Sequence, residues 1–176
     1  AKNRLAMDIG ASTGGFSDYL LSQGCKYIYA VDVAYGLLDS KLRQNEQIIP
    51  IERTNARNLT WETLKDKSGK VIKKKDPDLE LYRPSLVVMD VSFISILKIL
   101  PSLKLTCTDV FEVISLVKPQ FEAPKELVEP GGVITKQSTH DLVTRNIKEK
   151  SIELGFKIKG FCDSPIKGTD GNKEFF

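Results

Sequence analysis

The chain has 176 residues, of which 41% are hydrophobic and 28% charged, and its formal net charge is +3. These values are typical of one globular domain with a real core, and they exclude a disordered chain. No apolar run approaches the roughly 20 residues of a membrane span, and we expect no signal peptide. Three scattered cysteines and one histidine predict neither a disulfide framework nor a zinc site, so a reducing, cytoplasmic setting is expected. The mild positive charge permits a nucleic-acid partner without requiring one.

The first third of the chain predicts strands and helices in alternation. A first strand over residues 4–8 leads through Asp8-Ile-Gly-Ala-Ser-Thr-Gly-Gly-Phe16 into a helix over 14–23, which Gly24 is expected to end. Further strands are predicted over 27–31 and 47–51, with a short helix over 37–43 between them. Pro50 favours an edge position for the third strand, because proline cannot donate to a ladder.

The glycine-rich loop indicates a nucleotide-type ligand. Glycines let the backbone bend tightly and approach a ligand, and the helix beyond the loop offers unpaired N–H groups. The spacing differs from G-x-G-x-x-G, and Asp8 stands just before Gly10 and the Gly14-Gly15 pair. An acid in that position suits the cationic groups of S-adenosylmethionine better than a pyrophosphate. The alternative is a glycine-rich turn that closes a βα unit and holds no ligand.

The remaining chain continues the alternation of helices and strands. Residues 61–83, with Lys65–Lys70 and Lys73–Lys75, predict an exposed helix and loop whose basic side chains are more often solvated than bound to RNA. The other predicted elements are a strand over 85–89, a helix over 96–103, a strand over 110–117, a long loop over 119–137, a helix over 140–154 capped by Ser138 or Thr139, a strand over 156–162, a turn-rich connection over 164–171 and the start of a last strand at 173–176.

This alternation predicts an α/β fold with a doubly wound, mostly parallel sheet. Ligands in such sheets bind at the carboxyl ends of the strands. Asp8, Asp32, Asp90 and Lys118 all stand at predicted strand ends, so we expect four charged side chains in one crevice. Asp32 also has the position of the acid that binds ribose hydroxyls, about 20 residues after the glycine loop. A single strand-end acid is often only a helix cap, but four together favour a site.

Seven segments then carry a family resemblance. The most specific are Asp90-Val-Ser-Phe-Ile-Ser95 and Leu116-Val-Lys-Pro-Gln-Phe-Glu122. The others are the glycine loop, Val31-Asp-Val33 with Tyr35-Gly36, Lys41-Leu-Arg43, Glu52-Arg-Thr-Asn55, and Ser164-Pro-Ile166 through Gly171-Asn-Lys-Glu174. On these segments, which cover nearly the whole chain, the sequence resembles the TlyA family. Members of that family often carry the name hemolysin, and the family is similar to the FtsJ-type ribosomal RNA 2′-O-methyltransferases.

The resemblance implies a Rossmann-like, class I S-adenosylmethionine-dependent methyltransferase domain over residues 1–176. It also implies a Lys–Asp–Lys–Glu catalytic set, in which Asp90, Lys118 and Glu174 match the last three members. The first lysine belongs to a Ser-Arg-Gly-Gly-x-Lys segment upstream of the first strand, which is absent from this sequence. The N-terminal S4-type RNA-binding domain of the family is absent as well.

The implied reaction is attack of a ribose 2′-oxygen on the methyl group of S-adenosylmethionine. We expect Lys118 to lie against the 2′-oxygen, Asp90 to orient Lys118, and Glu174 to hold the lysine set in place. A lysine can accept the proton only when it is partly neutral. The implied partner is ribosomal RNA or a ribosomal subunit, with no metal and no membrane.

The resemblance also assigns the cofactor contacts. Loop contacts are expected from Gly10, Ser12, Thr13 and Gly14, ribose binding from Asp32, and contacts to the adenine edge from Asn55 or Ala56. Tyr35 and Phe121 are candidates for stacking on bases or adenine, although core packing is equally expected of an aromatic ring. His140 is expected to be a surface or capping residue.

Two other functions compete with RNA methylation. A membrane-active hemolysin needs amphipathic or barrel-forming segments, which the sequence does not display, and failure to release dye from liposomes would remove it. A non-catalytic RNA-binding module would bind RNA without cofactor and transfer no methyl group; the missing lysine favours it and the charged strand ends oppose it. The target nucleotide, the ribosomal subunit and the oligomeric state are not determined by the sequence.

Overall fold

A computed structural model describes residues 1–75, 82–168 and 171–176. The chain divides into two compact units. The first comprises residues 1–90 and 101–114, and the second comprises residues 91–100 and 115–176.

The first unit is built on a five-stranded sheet with strand order β3-β2-β1-β4-β5. The strands are β1 (Leu5–Ile9), β2 (Tyr27–Val31), β3 (Ile48–Ile51), β4 (Leu86–Met89) and β5 (Glu112–Ser115). The pairs β1–β2, β1–β4 and β2–β3 are parallel. The expected α/β architecture with a mostly parallel sheet is confirmed. The edge position that Pro50 predicted for β3 is confirmed as well.

Register and side-chain alternation explain how the sheet is held. Ala6 of β1 lies opposite Ile28 of β2 and Leu86 of β4, and all three are buried in one cluster. Phe16 and Leu20 of the first helix pack into this cluster. Successive strand residues point to opposite faces, so Met7 and its cross-strand partners Tyr29 and Val87 line the other face, where they are equally buried. A strand buried on both faces reads as a continuous apolar run.

The described residues contain six α-helices. They are α1 (Gly15–Ser22), α2 (Ser40–Gln44), α3 (Trp61–Lys75), α4 (Leu100–Thr106), α5 (Pro119–Glu122) and α6 (Gln137–Glu153). Short 3-10 turns occupy Ala56–Asn58, Ile96–Lys98 and Lys125–Leu127. Helix α1 packs against β1 and β2, and α2 and α3 pack against β3. Gly24 ends the α1 region with a φ of 77°, as the sequence predicted.

The second unit contains α5 and α6 together with paired segments near the end of the chain. Val117 forms an antiparallel bridge with Phe175, which also bridges Asp163. Cys162 and Phe176 exchange two backbone hydrogen bonds of 2.9 and 2.8 Å. Helix α6 buries Thr139, Val143 and Ile147.

Two predictions for this unit are wrong, the strand over 156–162 and the capping residue of the helix over 140–154. Residues 156–161 form no strand, and backbone pairing begins only at Cys162, because a period-two pattern specifies side-chain alternation and not a pairing partner. Helix α6 begins at Gln137 after Lys136, with no side-chain cap, and Thr139 is buried instead of capping. The predicted loop over 119–137 also contains the short helix α5. Parts of two predicted loops, at 76–81 and 169–170, lie outside the described residues.

Candidate functional site

Three acids meet at the carboxyl edge of the sheet in the first unit. Asp8 is the next-to-last residue of β1, and Asp32 and Asp90 directly follow β2 and β4, the two neighbours of β1. The N–H of Asp90 donates to the carbonyl of Ile9 over 2.9 Å, which holds the two strand ends together. The charges of Asp90 and Asp32 both act on Asp8. The structure therefore brings together three of the four strand-end charges, and it places the fourth, Lys118, in the second unit.

Asp8 is fully buried and only half satisfied by hydrogen bonds. Its Oδ2 accepts a 2.7 Å hydrogen bond from Ser17 Oγ at the start of α1. Its Oδ1 is buried and has no hydrogen-bond partner within the described part of the chain. Burial raises the pKa of the Asp8 carboxyl to about 6, the bonds from Ser17 oppose this shift, and the charges of Asp90 and Asp32 add to it. A buried carboxylate oxygen without a partner is costly, so this atom is suited to a cationic or donor group of a ligand.

Asp32 is held in one orientation by the backbone around it. Its Oδ2 accepts from Ser12 N and its Oδ1 accepts from Ala34 N, both over 2.8 Å. Each carboxylate oxygen retains acceptor capacity after one hydrogen bond. A fixed carboxylate of this kind can accept from two vicinal hydroxyls.

The glycine-rich loop is fastened to the same region on both sides. Ser12 is bound by Asp32, and the carbonyl of Thr13 accepts from Asp39 N over 3.0 Å. Gly14 has a φ of 100° and is buried, and a Cβ added there would overlap Leu42 and lie 2.8 Å from Cδ1 of Leu38. Gly14 therefore also serves the close packing of the loop against residues 38–42, a role that the sequence did not reveal. Ser12 and Thr13 are exposed.

Asn55 and Ala56 follow the edge strand β3. Asn55 Oδ1 accepts from Arg57 N over 3.1 Å and caps the 3-10 turn that begins at Ala56. Ala56 is buried, and its carbonyl accepts a 2.6 Å hydrogen bond from Ser102 Oγ. These contacts order the turn in which the adenine contact was expected, and they leave the backbone N–H of Ala56 and the side-chain amide of Asn55 as the donors for such a contact.

The donor set of the first unit fits S-adenosylmethionine. That molecule has an ammonium and a sulfonium group, a ribose diol and a carboxylate. Asp8 offers a buried anionic oxygen, Asp32 offers a fixed pair of acceptors, and the first amides of α1 have no acceptor within the helix. Acidic groups for the cations, acceptors for the diol and N–H donors for the carboxylate are thus all present.

In the second unit, Lys118 and Glu174 lie on two segments that pair with each other. The hydrogen bonds between Val117 and Phe175, of 2.7 and 3.0 Å, pair the two segments in antiparallel register. This register places Lys118 opposite Glu174, and residues that are opposite in such a pair can interact. Lys118 Nζ donates to Ser92 Oγ over 3.1 Å. The side chain of Glu174 is buried. The sequence placed Ser92 in a family motif without assigning it this contact.

Phe93 is an exposed aromatic residue that sequence reasoning missed. It is 90% exposed, has a φ of 64°, and its ring centroid lies 4.9 Å from that of Phe121. A left-handed conformation is unusual for a bulky residue and favours a functional explanation. Phe121, one of the two aromatic residues proposed from the sequence, is the half-buried member of this pair.

Glu122 accepts hydrogen bonds from the segment that follows Phe93. Its Oε1 accepts from Ile96 N over 2.8 Å, and the hydroxyl of Ser95 also binds it. Burial raises the pKa of the Glu122 carboxyl, while these hydrogen bonds and Lys98 lower it. The contact ties the segment before the 3-10 turn at Ile96 to helix α5. The sequence contained Glu122 in its most specific motif, but only the fold shows what it touches.

Two other candidate residues have different surroundings. His140 was expected at the surface or at a cap, and this is wrong: it is buried, its ring stands edge-on to Phe175 at 5.8 Å, and desolvation followed by the charge of Lys173 lowers its pKa. Tyr35 is 66% exposed, and the guanidinium of Arg53 lies 4.5 Å from its ring centroid.

The described part of the chain contains neither a metal-binding cluster nor a membrane-spanning helix. No group of three or more His, Cys, Asp or Glu side chains there is arranged to hold a metal ion. No helix in the same ranges combines the length and apolar character needed to cross a bilayer.

The fold defines a Rossmann-like α/β protein, and the strand-end acids mark its candidate ligand site. The family model described as FtsJ-like methyltransferase matches residues 1–176, and the chain belongs to that family. Among curated proteins, the chain is 38% identical over 173 residues to the 16S/23S rRNA (cytidine-2′-O)-methyltransferase TlyA of Mycobacterium tuberculosis, covering 98% of this chain and 59% of that protein. The match to Hemolysin A of Brachyspira hyodysenteriae is 38% over 174 residues and covers 99% of this chain and 66% of the other.

A solved structure of a hemolysin-named protein from Streptococcus thermophilus is also similar. It has a TM-score of 0.86 at 38% identity, and the match covers 99% of this chain and 57% of that one. The chain thus spans less than two thirds of the length of these relatives. The resemblance to the TlyA family and to FtsJ-type enzymes is confirmed.

Proposed function

We propose that this chain transfers a methyl group from S-adenosylmethionine to a ribose 2′-hydroxyl of ribosomal RNA. The observation that carries the proposal is the buried Oδ1 of Asp8 at the end of β1, which has no hydrogen-bond partner among the described residues and lies between the strand-end acids Asp32 and Asp90. The FtsJ-like family supports methyl transfer, and the similarity to a mycobacterial rRNA (cytidine-2′-O)-methyltransferase supports ribosomal RNA as the substrate.

In this proposal the first unit holds the cofactor. Asp8 faces its cationic groups, Asp32 accepts from its ribose hydroxyls, and the loop residues Gly10, Ser12, Thr13 and Gly14 surround it. Asn55 or Ala56 contacts the edge of the adenine. S-adenosylmethionine, when bound, supplies a methyl group made electrophilic by the attached sulfonium.

The catalytic set in the proposal is Asp90, Lys118 and Glu174. Lys118, in its neutral amine form, accepts the proton of the target 2′-hydroxyl, because a ribose hydroxyl is a weak nucleophile at neutral pH and gains from a positioned base. Glu174, opposite Lys118 in the antiparallel pair, holds the side-chain nitrogen of Lys118 in place. Asp90 supplies negative charge near the methyl donor, where positive charge is concentrated.

The exposed ring of Phe93 supports a nucleic-acid substrate. Aromatic side chains bind unstacked bases through their faces, which is how single-stranded RNA is usually held. A 90% exposed phenylalanine held against Phe121 offers such a face. The formal charge of +3 is compatible with an RNA partner.

The test is methyl transfer from labelled S-adenosylmethionine to unmodified ribosomal subunits, with the product mapped as a 2′-O-methyl nucleotide. Asp90→Ala is expected to abolish transfer while S-adenosylmethionine still binds, because Asp8 and Asp32 remain to hold the cofactor, so the main loss is in kcat. Asp109→Ala removes an exposed acid from the same unit and is expected to behave as wild type.

Three results would count against the proposal. Transfer that survives in Asp90→Ala would remove Asp90 from the catalytic set. Methylation mapped to a base instead of a ribose would show that the methyl acceptor is not a ribose 2′-hydroxyl. Cofactor-independent RNA binding without any transfer by the wild-type protein would favour the non-catalytic RNA-binding module.

A further inference from the structure

Gly168 lies directly against the carboxyl group of Glu174. A Cβ added at Gly168 would overlap Oε1 of Glu174. It would also lie 2.6 Å from Cδ and 3.3 Å from Cγ of the same residue. The carboxyl group of Glu174 thus occupies the volume that any side chain at position 168 would need. Both residues belong to the second unit.

Backbone conformation does not explain this glycine. The φ of Gly168 is outside the left-handed region, unlike that of Gly171 at 80°. An alanine could therefore adopt the backbone of Gly168 without strain. The requirement for glycine at this position is one of space.

The backbone on both sides of the contact is fastened. Gly168 N donates to Asn172 O over 2.9 Å, and Ser164 N donates to Glu174 O over 2.9 Å. The side chain of Asn172 adds two bonds, accepting from Ile134 N over 3.0 Å and donating to Gly132 O over 3.1 Å. Because the main chain is held, an added methyl group at position 168 would displace the flexible end of Glu174 in preference to the backbone.

We infer that Gly168 is a positioning residue, whose missing side chain sets the place of the Glu174 carboxyl group opposite Lys118. This inference rests on the proposed function for its kinetic consequence, since Glu174 is assigned there to the lysine. Its structural content, that the residue at position 168 controls where the Glu174 carboxyl group lies, stands by itself.

The test compares Gly168→Ala with Gly160→Ala. Gly160 also has a φ outside the left-handed region, and a Cβ added there meets nothing within 4 Å, so it controls for the change of glycine to alanine. Gly168→Ala is expected to lower kcat for RNA methylation at least about tenfold, because small displacements of catalytic groups are costly. Its KM for S-adenosylmethionine and its melting temperature are expected to stay at the values of Gly160→Ala.

Two further measurements separate positioning from general damage. In a Glu174→Asp background, where the carboxyl group is one methylene shorter, Gly168→Ala is expected to lower kcat less than twofold further, because the group it displaces has been withdrawn. Carbon-13 NMR of the Glu174 carboxyl, assigned with Glu174→Gln, is expected to show a changed chemical shift in Gly168→Ala.

The outcomes distinguish this inference from the proposed function. An unchanged Glu174 carboxyl signal in Gly168→Ala, or an equal effect of Gly168→Ala in the Glu174→Asp background, would overturn the inference. A changed carboxyl signal supports positioning even if the wild-type protein methylates no RNA, and that second result would overturn only the proposed function. Full transfer by Glu174→Gln would remove Glu174 from the catalytic set.

Discussion

At the scale of single residues, the most informative side chain is the buried Asp8. One oxygen of the Asp8 carboxyl group accepts a hydrogen bond from Ser17, and the other oxygen has no hydrogen-bond partner in the described ranges. A protein gains no stability from such an arrangement, because desolvation of a charged carboxylate is expensive. Residues that are unfavourable for folding and surround a crevice are candidates for function.

The pKa of Asp8 predicts a specific pH dependence of stability. Because the folded-state pKa of about 6 is above the ordinary value of 3.8, the folded chain binds this proton more tightly than the unfolded chain. The resulting stabilisation is complete below pH 3.8 and is lost as the pH rises through 6. Asp8→Asn stays neutral and can still accept from Ser17. Its unfolding free energy relative to that of wild type should therefore rise by about 2 to 3 kcal/mol as the pH increases from 4 to 8.

Urea unfolding at a series of pH values measures this difference in unfolding free energy. Asp66→Asn, at an exposed position on α3, is the control, and its difference from wild type is expected to be independent of pH within about 0.5 kcal/mol. A difference between Asp8→Asn and wild type that stays flat from pH 4 to pH 8 would mean that Asp8 is not an uncompensated buried acid.

At the scale of elements, the glycine loop is held by packing as well as by hydrogen bonds. Gly14 and Gly15 are adjacent, yet they have opposite requirements. Gly14 has a φ of 100° and no room for a Cβ, whereas a Cβ at Gly15 meets nothing within 4 Å. The pair therefore offers a matched comparison within one helix start.

Gly14→Ala is expected to destabilise the chain by about 2 kcal/mol or more, because the left-handed backbone and the contact with Leu38 and Leu42 both oppose a methyl group. Gly15→Ala is expected to be neutral or to stabilise by up to about 1 kcal/mol, since alanine favours the helix. Thermal unfolding of the two variants measures this contrast. Equal melting temperatures would show that the segment 38–42 does not pack against Gly14.

Lys67 shows that part of the basic stretch is structural. Its Nζ donates to Thr54 Oγ1 over 2.6 Å and to the carbonyls of Arg53 and Glu52 over 3.2 and 3.3 Å. Lys67→Met keeps the aliphatic part of the side chain but leaves these acceptors without the donor. The unfolding free energy is therefore expected to fall by about 1 to 2 kcal/mol. Lys65→Met, at an exposed position of the same helix, should change the unfolding free energy by less than about 0.5 kcal/mol. Similar losses in both variants would contradict the assignment.

The first five strands were predictable from the sequence because each is a short apolar run closed by a polar residue or a turn. Observed bounds differ from the predicted ones by a few residues at most, and β2 matches at both ends. The strand predicted over 156–162 failed because its alternation of apolar and charged residues contains no information on a partner. The capping prediction at α6 failed because tertiary burial of Thr139 outweighed its local preference.

At the scale of the whole molecule, strand-end acids were predictable and the residues that hold them were not. Parallel topology alone brings Asp8, Asp32 and Asp90 to one edge. The contacts of Ser17 with Asp8, of Glu122 with Ile96, and the space that Gly168 leaves for Glu174 depend on chain segments that meet only in the fold. The family motifs contain several of these residues but do not say what each one touches.

The most direct test of the central claim is calorimetric titration of S-adenosylmethionine into this chain, with Asp32→Ala and Asp66→Ala beside the wild type. The claim predicts binding by wild type and by Asp66→Ala, whose acid is exposed on α3, and loss of binding in Asp32→Ala because the fixed acceptors for the ribose are removed. Equal affinity of all three proteins would contradict the placement of the cofactor at the strand ends. No binding by the wild type would contradict the claim that the residues of this chain form the cofactor site.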